Sequence, residues 1–343
     1  MRHVLSVPLL AALLAGAACG TGTAGLLPDA GVPAVGGGGS GPLDGGAALP
    51  WRFAVVGDTH VRRDAPGILP ELVSSMLADG VEVVLFAGDL VEGGPALPTA
   101  GYARQLQAFQ AAAAPLRAAG VKVLAVRGNH EADVPDSVAG WNQAFAGDWA
   151  LPQDGPPGEQ NLTWSFAHRD ALFLGLDAYA TLHEVNLPWV ESTLSSSPAV
   201  HLFPVSHEPA FKVFHADCLG AVPAKRDTLW ERLSAAGARA YFSGHDHFLD
   251  LSRLDDGDGQ AAGDLVQVVA GTGGGTPPPN AGSYDGSNGR WTPLQLLHLQ
   301  AEGYVLADVA GAQVTLSFRE RRCAGTCAFV TTPSMAEWTA TSR

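Results

Sequence analysis

The sequence predicts a layered α/β chain, and three observations carry that expectation. Short apolar runs alternate with longer helix-like stretches, the order that builds sheets covered by helices. Apolar residues make up 46% of the chain and charged ones only 16%, enough for a large core and too little charge for global disorder. Five of the apolar runs end in Asp, Asn or His, where open α/β sheets place their sites.

The chain opens on a targeting segment. Arg2 and His3 precede an apolar run from Val4 to Ala18, too short to span a bilayer comfortably but suited to a signal h-region. Cys19 follows the small residues Gly16, Ala17 and Ala18, so residues 1–19 resemble a bacterial lipoprotein signal whose cysteine is lipidated after cleavage. Gly16 stands where such signals usually carry leucine, and an ordinary secretory signal that contains Cys19 is the other reading. Both readings put the mature protein outside the cytoplasm, secreted or periplasmic, with membrane contact only through a lipid anchor. Residues 20–50 are rich in Gly and Pro and almost free of charge, a flexible linker.

Residues 51–330 form the expected folded domain. A strand over 53–57 precedes a helix over about 67–79, whose Ile68, Leu69, Leu72, Val73, Met76 and Leu77 fall on one face. A strand over 81–87 leads through Gly93, Gly94 and Pro95 to an alanine-rich helix over about 100–119, with a kink expected at Pro115. A third strand covers 121–126. Residues 131–160 read as loop, with Trp141, Phe145 and Trp149 as candidates for core packing or a pocket wall. Strands follow near 162–167, 171–176, 201–205, 239–242 and 264–270, with helices at 189–194 and 228–236, and a hairpin over 303–319. Residues 331–343 read as a tail. Cys323 and Cys327, four apart, suit a short disulfide in an oxidising compartment better than a zinc site, which would leave Cys218 a lone thiol.

The strand-end residues carry the chemistry. Asp58-Thr59-His60, Gly88-Asp89, Gly128-Asn129-His130-Glu131, His207-Glu208-Pro209 and Gly244-His245-Asp246-His247 occur in that order. Together they resemble the calcineurin-like metallophosphoesterase superfamily, which includes purple acid phosphatases. The resemblance runs from about Phe53 to Phe318, most of the mature chain. Each motif is weak alone; five in order are a strong signal. The implied fold is a four-layer α/β/β/α sandwich of two mixed sheets flanked by helices.

The implied activity is hydrolysis of phosphate esters, as a phosphatase or phosphodiesterase, at two metal ions with a bridging hydroxide as nucleophile. By this resemblance one metal takes Asp58, His60 and His247, the other takes Asn129, His207 and His245, and Asp89 bridges them. Mixed oxygen and imidazole donors suit transition metals such as Fe, Mn or Zn. His130 lies beside a ligand without being one, and its implied role is to hydrogen-bond the phosphate or protonate the leaving oxygen. Glu131 either orients His130 or is a solvated carboxylate. His215 falls where some relatives place a substrate-contacting histidine; an exposed loop histidine is the plainer reading. His168, His183, His201 and His298 have no motif context and read as structural or surface residues.

One departure bears on the branch. Purple acid phosphatases carry an iron-binding tyrosine three residues after the bridging aspartate, and Glu92 stands there. The resemblance is therefore to a secreted, purple-acid-phosphatase-related branch without purple colour. The net charge of −14, from 34 acidic against 20 basic residues, disfavours a stable nucleic-acid partner and leaves a small phosphorylated substrate. The alternative from another class is a non-catalytic cell-surface binding protein that keeps the scaffold.

Overall fold

The computed structural model describes residues 49–279 and 290–340. The expected signal segment and nearly all of the expected linker lie outside them.

The first half of the domain builds three parallel strands. These are β1 (Trp51–Val56), β2 (Val83–Ala87) and β3 (Lys122–Val126), joined by α1 (Leu69–Ala78) and α2 (Thr99–Ala118). Every residue of β2 is buried, as expected of a strand covered on both faces. α2 runs on through Pro115, which falls in its last turn. It packs on the outer face of this sheet, with Phe109 edge-on to Phe86 of β2 at 4.9 Å. After β3 come the one-turn α3 (Asn129–Ala132) and α4 (Ser137–Ala144). Here the loop expectation fails: Trp141 on α4 is buried against Phe145 and donates its indole N–H to the Asn161 carbonyl. These aromatics serve the core.

The second half contributes β4 (Trp164–His168), β5 (Ala171–Gly175), α5 (Leu187–Ser196), β6 (His201–Val205), α6 (Pro223–Ala235) and β7 (Ala240–Ser243). These are followed by β8 (Leu249–Asp255), β9 (Leu265–Ala270) and β10 (Thr292–Leu299). Their sheet runs β10-β8-β9-β7-β6-β5-β4, parallel from β5 through β9 except at β8. The chain then returns to the first sheet as β11 (Gly303–Ala310), β12 (Gln313–Ala324), β13 (Thr326–Thr331) and β14 (Ala336–Thr339). That sheet runs β13-β12-β11-β1-β2-β3, with β14 pairing the first residues of β12 on the same edge as β13.

The two sheets face each other across an aromatic core. Phe53 of β1 lies 5.2 Å from Phe173 of β5 and 4.5 Å from Phe203 of β6. On the far face of the second sheet, Val190 and Leu194 of α5 and Leu229, Trp230 and Leu233 of α6 cover Leu172, Leu174, Leu202 and Tyr241. Helices, sheet, sheet and helices make the four-layer sandwich that the resemblance implies.

Four strands were not expected. β8 follows His247 at once, without turn residues to mark it, and pairs antiparallel beside β9. β10 is an edge strand with Pro293 and an irregular exposure pattern, which hides its alternation. The reading of 331–343 as a tail is corrected by β14, whose Ala336–Thr339 pairs with Gln313–Leu316. β13 closes a hairpin on β12 across a Cys323–Cys327 disulfide. Among the described residues Cys218 is the free cysteine; burial pushes its thiol up to about 12.

Candidate metal centre

The parallel strands of both sheets deliver their C-terminal ends to one edge, and the donors gather there. Getting the side chains inward requires unusual backbone. Asp58 (φ 62°), His60 (φ 42°), Asp89 (φ 48°) and His245 (φ 73°) all sit in the left-handed region. Residues other than glycine adopt it rarely and at a cost of order 1–3 kcal/mol each, and such outliers cluster at functional sites. This strained turn is how Asp58-x-His60 points both donors into one site. Gly88 (φ 82°) has no room for a side chain, since a Cβ there would lie 2.4 Å from the His207 ring. A Cβ on Gly128 would meet the Asp89 carboxylate.

Two donor sets form. Asp58, His60, Asp89 and His247 each bring a ligand atom within 4.8 Å of the others. In this set His60 Nε2 is 3.1 Å from His247 Nε2, which is 3.4 Å from Asp58 Oδ1. The second set is tighter. His207 Nε2 and His245 Nδ1 lie 3.0 and 3.2 Å from Asn129 Oδ1, and 3.2 Å from each other. Asp89 stands between the sets, its Oδ2 3.4 Å from His207 Nε2 and 3.8 Å from His60 Nε2. Its other oxygen is held by the His130 backbone N–H at 3.0 Å.

Backbone carbonyls fix the tautomers. His207 donates its Nδ1–H to the Ala87 carbonyl, and His247 donates its own to Thr276, each at 2.8 Å. The Nε2 atoms are then lone pairs aimed at other acceptors: carboxylate oxygens, the Asn129 amide oxygen and a second imidazole. Lone pairs converging without a donor need a cation. In the metal-free protein, protons stand in. Burial opposes charge on His207, yet Asp89 and Asp58 hold its pKa up to about 10. His247 is likewise raised to about 9 by Asp58 against its burial. The Asp89 carboxyl, despite burial, is held well below the usual range by His207, His130 and His60. Converging imidazole nitrogens and carboxylate oxygens are what a metal ion needs, and Asp58, His60, Asp89 and His247 are a candidate group to hold one.

A surrounding shell braces the donors. Glu131 is fully buried, which excludes the solvated reading, and its carboxylate does not reach the His130 ring. Oε2 instead accepts from the backbone N–H groups of Gly128 at 2.7 Å and Asp89 at 3.0 Å, and Oε1 from that of Val91 at 3.0 Å. As the third residue of α3 it closes the helix start back on Gly128 and ties the β2 and β3 loops together. The His130 ring is oriented by the Glu92 carbonyl, which accepts from Nδ1 at 2.6 Å, so Nε2 faces the site 3.9 Å from Asp89 Oδ2. His215 lies tilted against His245 at the rim, with ring centroids 4.8 Å apart, and is anchored through Nδ1 to the buried Asp246 at 2.7 Å. Asp217, absent from the sequence reading, sets Oδ1 3.5 Å from the outward His245 Nε2; no motif marks it, because only the loop's path brings it there. His168, His201 and His298 bond to Glu82, the Gly311 carbonyl and Asp250. His183 instead bonds to Glu208, the buried neighbour of His207.

A two-sheet α/β sandwich whose parallel strand ends assemble paired Asp, Asn and His donor sets around one shared carboxylate is of the metallophosphoesterase type. The chain belongs to the calcineurin-like phosphoesterase family, whose model matches residues 52–249. No curated protein matches it. Solved structures do. A purple acid phosphatase from yellow lupin (Lupinus luteus) seeds superposes with a TM-score of 0.58 at 17% identity, over 80% of this chain and 52% of its own. This chain therefore spans about half the length of the lupin protein. PhoD gives a TM-score of 0.60 at 14% identity, over 88% of this chain and 73% of its own. GAP50, the anchor in the inner membrane complex of Plasmodium, gives 0.54 at 14% identity, over 82% and 89%. At such identities the likeness is one of fold.

Proposed function

We propose that this protein hydrolyses phosphate esters, as a phosphatase or phosphodiesterase, at a dinuclear metal centre. The observation that carries the reading is the pair of donor sets sharing Asp89, with lone pairs converging at 3.0–3.2 Å. Asp58, His60 and His247 would hold one ion and Asn129, His207 and His245 the other. Their donor types suit Fe, Mn or Zn. Two such ions supply charge neutralisation for the phosphate and lower the pKa of bound water.

The chain's own groups do the rest. Asn129 is a neutral donor, so the second set adds no charge against an anionic substrate. His130 is part exposed, and its Nδ1–H is committed to Glu92, so Nε2 is the atom that carries a proton to the leaving oxygen. General acid catalysis of this kind is worth about 10²–10⁴-fold. The branch we assign is the purple-acid-phosphatase-related one, without the iron-binding tyrosine. His215 lies at the rim on the His245 side and is our candidate for a substrate contact.

The test is metal content together with kcat for esters of graded leaving-group pKa, in the native protein and His130→Ala. The variant should keep both metals, slow alkyl phosphates within the range above and slow p-nitrophenyl phosphate much less. Two bound metals with no turnover of any phosphate mono- or diester would replace this reading with the binding-protein one. We further infer an extracytoplasmic location with Cys19 lipidated. Cys19→Ser should abolish partition with membranes; unchanged partition would reject the anchor.

A further inference from the structure

A cavity of about 360 Å³ opens beside the first donor set, lined by His60, His247 and His130 and, further out, by Arg62, Glu92 and the Gly274–Thr276 segment. Among the described residues, Arg62 is the one cationic side chain on its wall apart from the histidines. It is not a loose surface arginine. Its backbone is locked in a tight turn, N–H to the Ala65 carbonyl at 3.0 Å and the return bond at 3.2 Å. The residue before it, Val61, bridges to Val91. One bond ties the guanidinium to Glu92 on the cavity wall, Nη2 to Oε1 at 2.9 Å, while the other Glu92 oxygen lies 3.7 Å from His60 Nδ1. A guanidinium has five N–H donors in a planar fork. One bond to Glu92 holds it in place and leaves the rest for a ligand.

Resting on the reading above, the geometry points to the substrate class: a phosphate ester whose leaving alcohol carries a second anionic group, received by Arg62. His130 protonates the leaving oxygen and itself lines this cavity, so the alcohol occupies the space beyond it. That space exceeds what a phosphate alone would need. In a chain of net charge −14, a second anion requires a local cation. The competing account is a surface ion pair, with Arg62 65% exposed, that contributes little to anything.

The experiment compares phenyl phosphate with 4-carboxyphenyl phosphate, using the metal-loaded full chain, Arg62→Gln and Arg62→Lys. The native protein should prefer the carboxylated ester in kcat/KM. Arg62→Gln should lower that preference roughly tenfold, the scale of one charge-assisted hydrogen bond, and Arg62→Lys should restore part of it. Calorimetry with benzylphosphonate and (4-carboxybenzyl)phosphonate asks the same question without turnover. If neither ester is cleaved but the phosphonates still bind with an Arg62-dependent preference, the hydrolase reading fails and the subsite stands. A preference unchanged by Arg62→Gln, or an equal loss for both ligands, overturns the subsite.

Discussion

Glu131→Gln is the sharpest test of how the site is held. The carboxylate accepts three backbone N–H groups from two loops, two at Oε2 and one at Oε1. Glutamine is the same size but has one acceptor oxygen and one N–H₂ donor. In its better orientation the amide oxygen keeps Gly128 and Asp89, and the N–H₂ group is set against the Val91 N–H. One buried donor is then left unsatisfied, at about 1–3 kcal/mol, and two charge-assisted bonds become neutral ones, each about 1 kcal/mol weaker. A countervailing term exists. Burial and then Asp89 raise the Glu131 pKa to about 7 in the metal-free protein, so removing its charge relieves some repulsion. A carboxyl raised in this way loses stability as pH climbs from its unfolded value toward 7, which glutamine does not. The expected net cost is about 2–4 kcal/mol in the metal-loaded protein at pH 7.5, where cations offset Asp89, and less in the metal-free protein at the same pH. Urea unfolding with and without metal gives both numbers, as a lower midpoint at unchanged slope. An unchanged midpoint in the loaded protein would refute the clamp.

Asp89→Asn should lose at least one metal and nearly all activity while circular dichroism stays native; full activity with two metals bound would show Asp89 misassigned. Asp217→Asn should weaken the second metal about 10–100-fold, the usual cost of losing a carboxylate behind a ligating histidine, read by competition with a chelator. Unaltered affinity would make Asp217 a rim charge only. Because His207 and His247 hold protons up to about 10 and 9 without metal, loading metal at pH 7 should release protons, and affinity should rise with pH. Calorimetry in buffers of different ionisation enthalpy measures this, and the absence of release would contradict the protonated state of His207 and His247 in the metal-free protein. The same raised values give the metal-free protein stability that is fully present below about pH 6.5 and is lost as pH rises toward 9–10.

What the sequence determined by itself is what local pattern encodes. A short continuous apolar run such as Val83–Ala87, closed by Gly88, reads as a covered strand, and the polar residues after it as standing at a sheet edge. The candidate donors Asp58, His60, Asp89, Asn129, His207, His245 and His247 were therefore legible as strand-end residues. Elements that local pattern underspecifies were not. β10 and β14 exist because a neighbouring strand offers its backbone, and α4 because Trp141 has a core to fill. The tertiary structure alone decided how the donors pair across two sheets, since β1–β3 and β6–β7 meet only when Phe53 packs against Phe173 and Phe203. It also decided what Glu131 and Asp217 do. Nothing adjacent in the sequence says whether a carboxylate faces water or three buried amides; that depends on which distant loops fold over it.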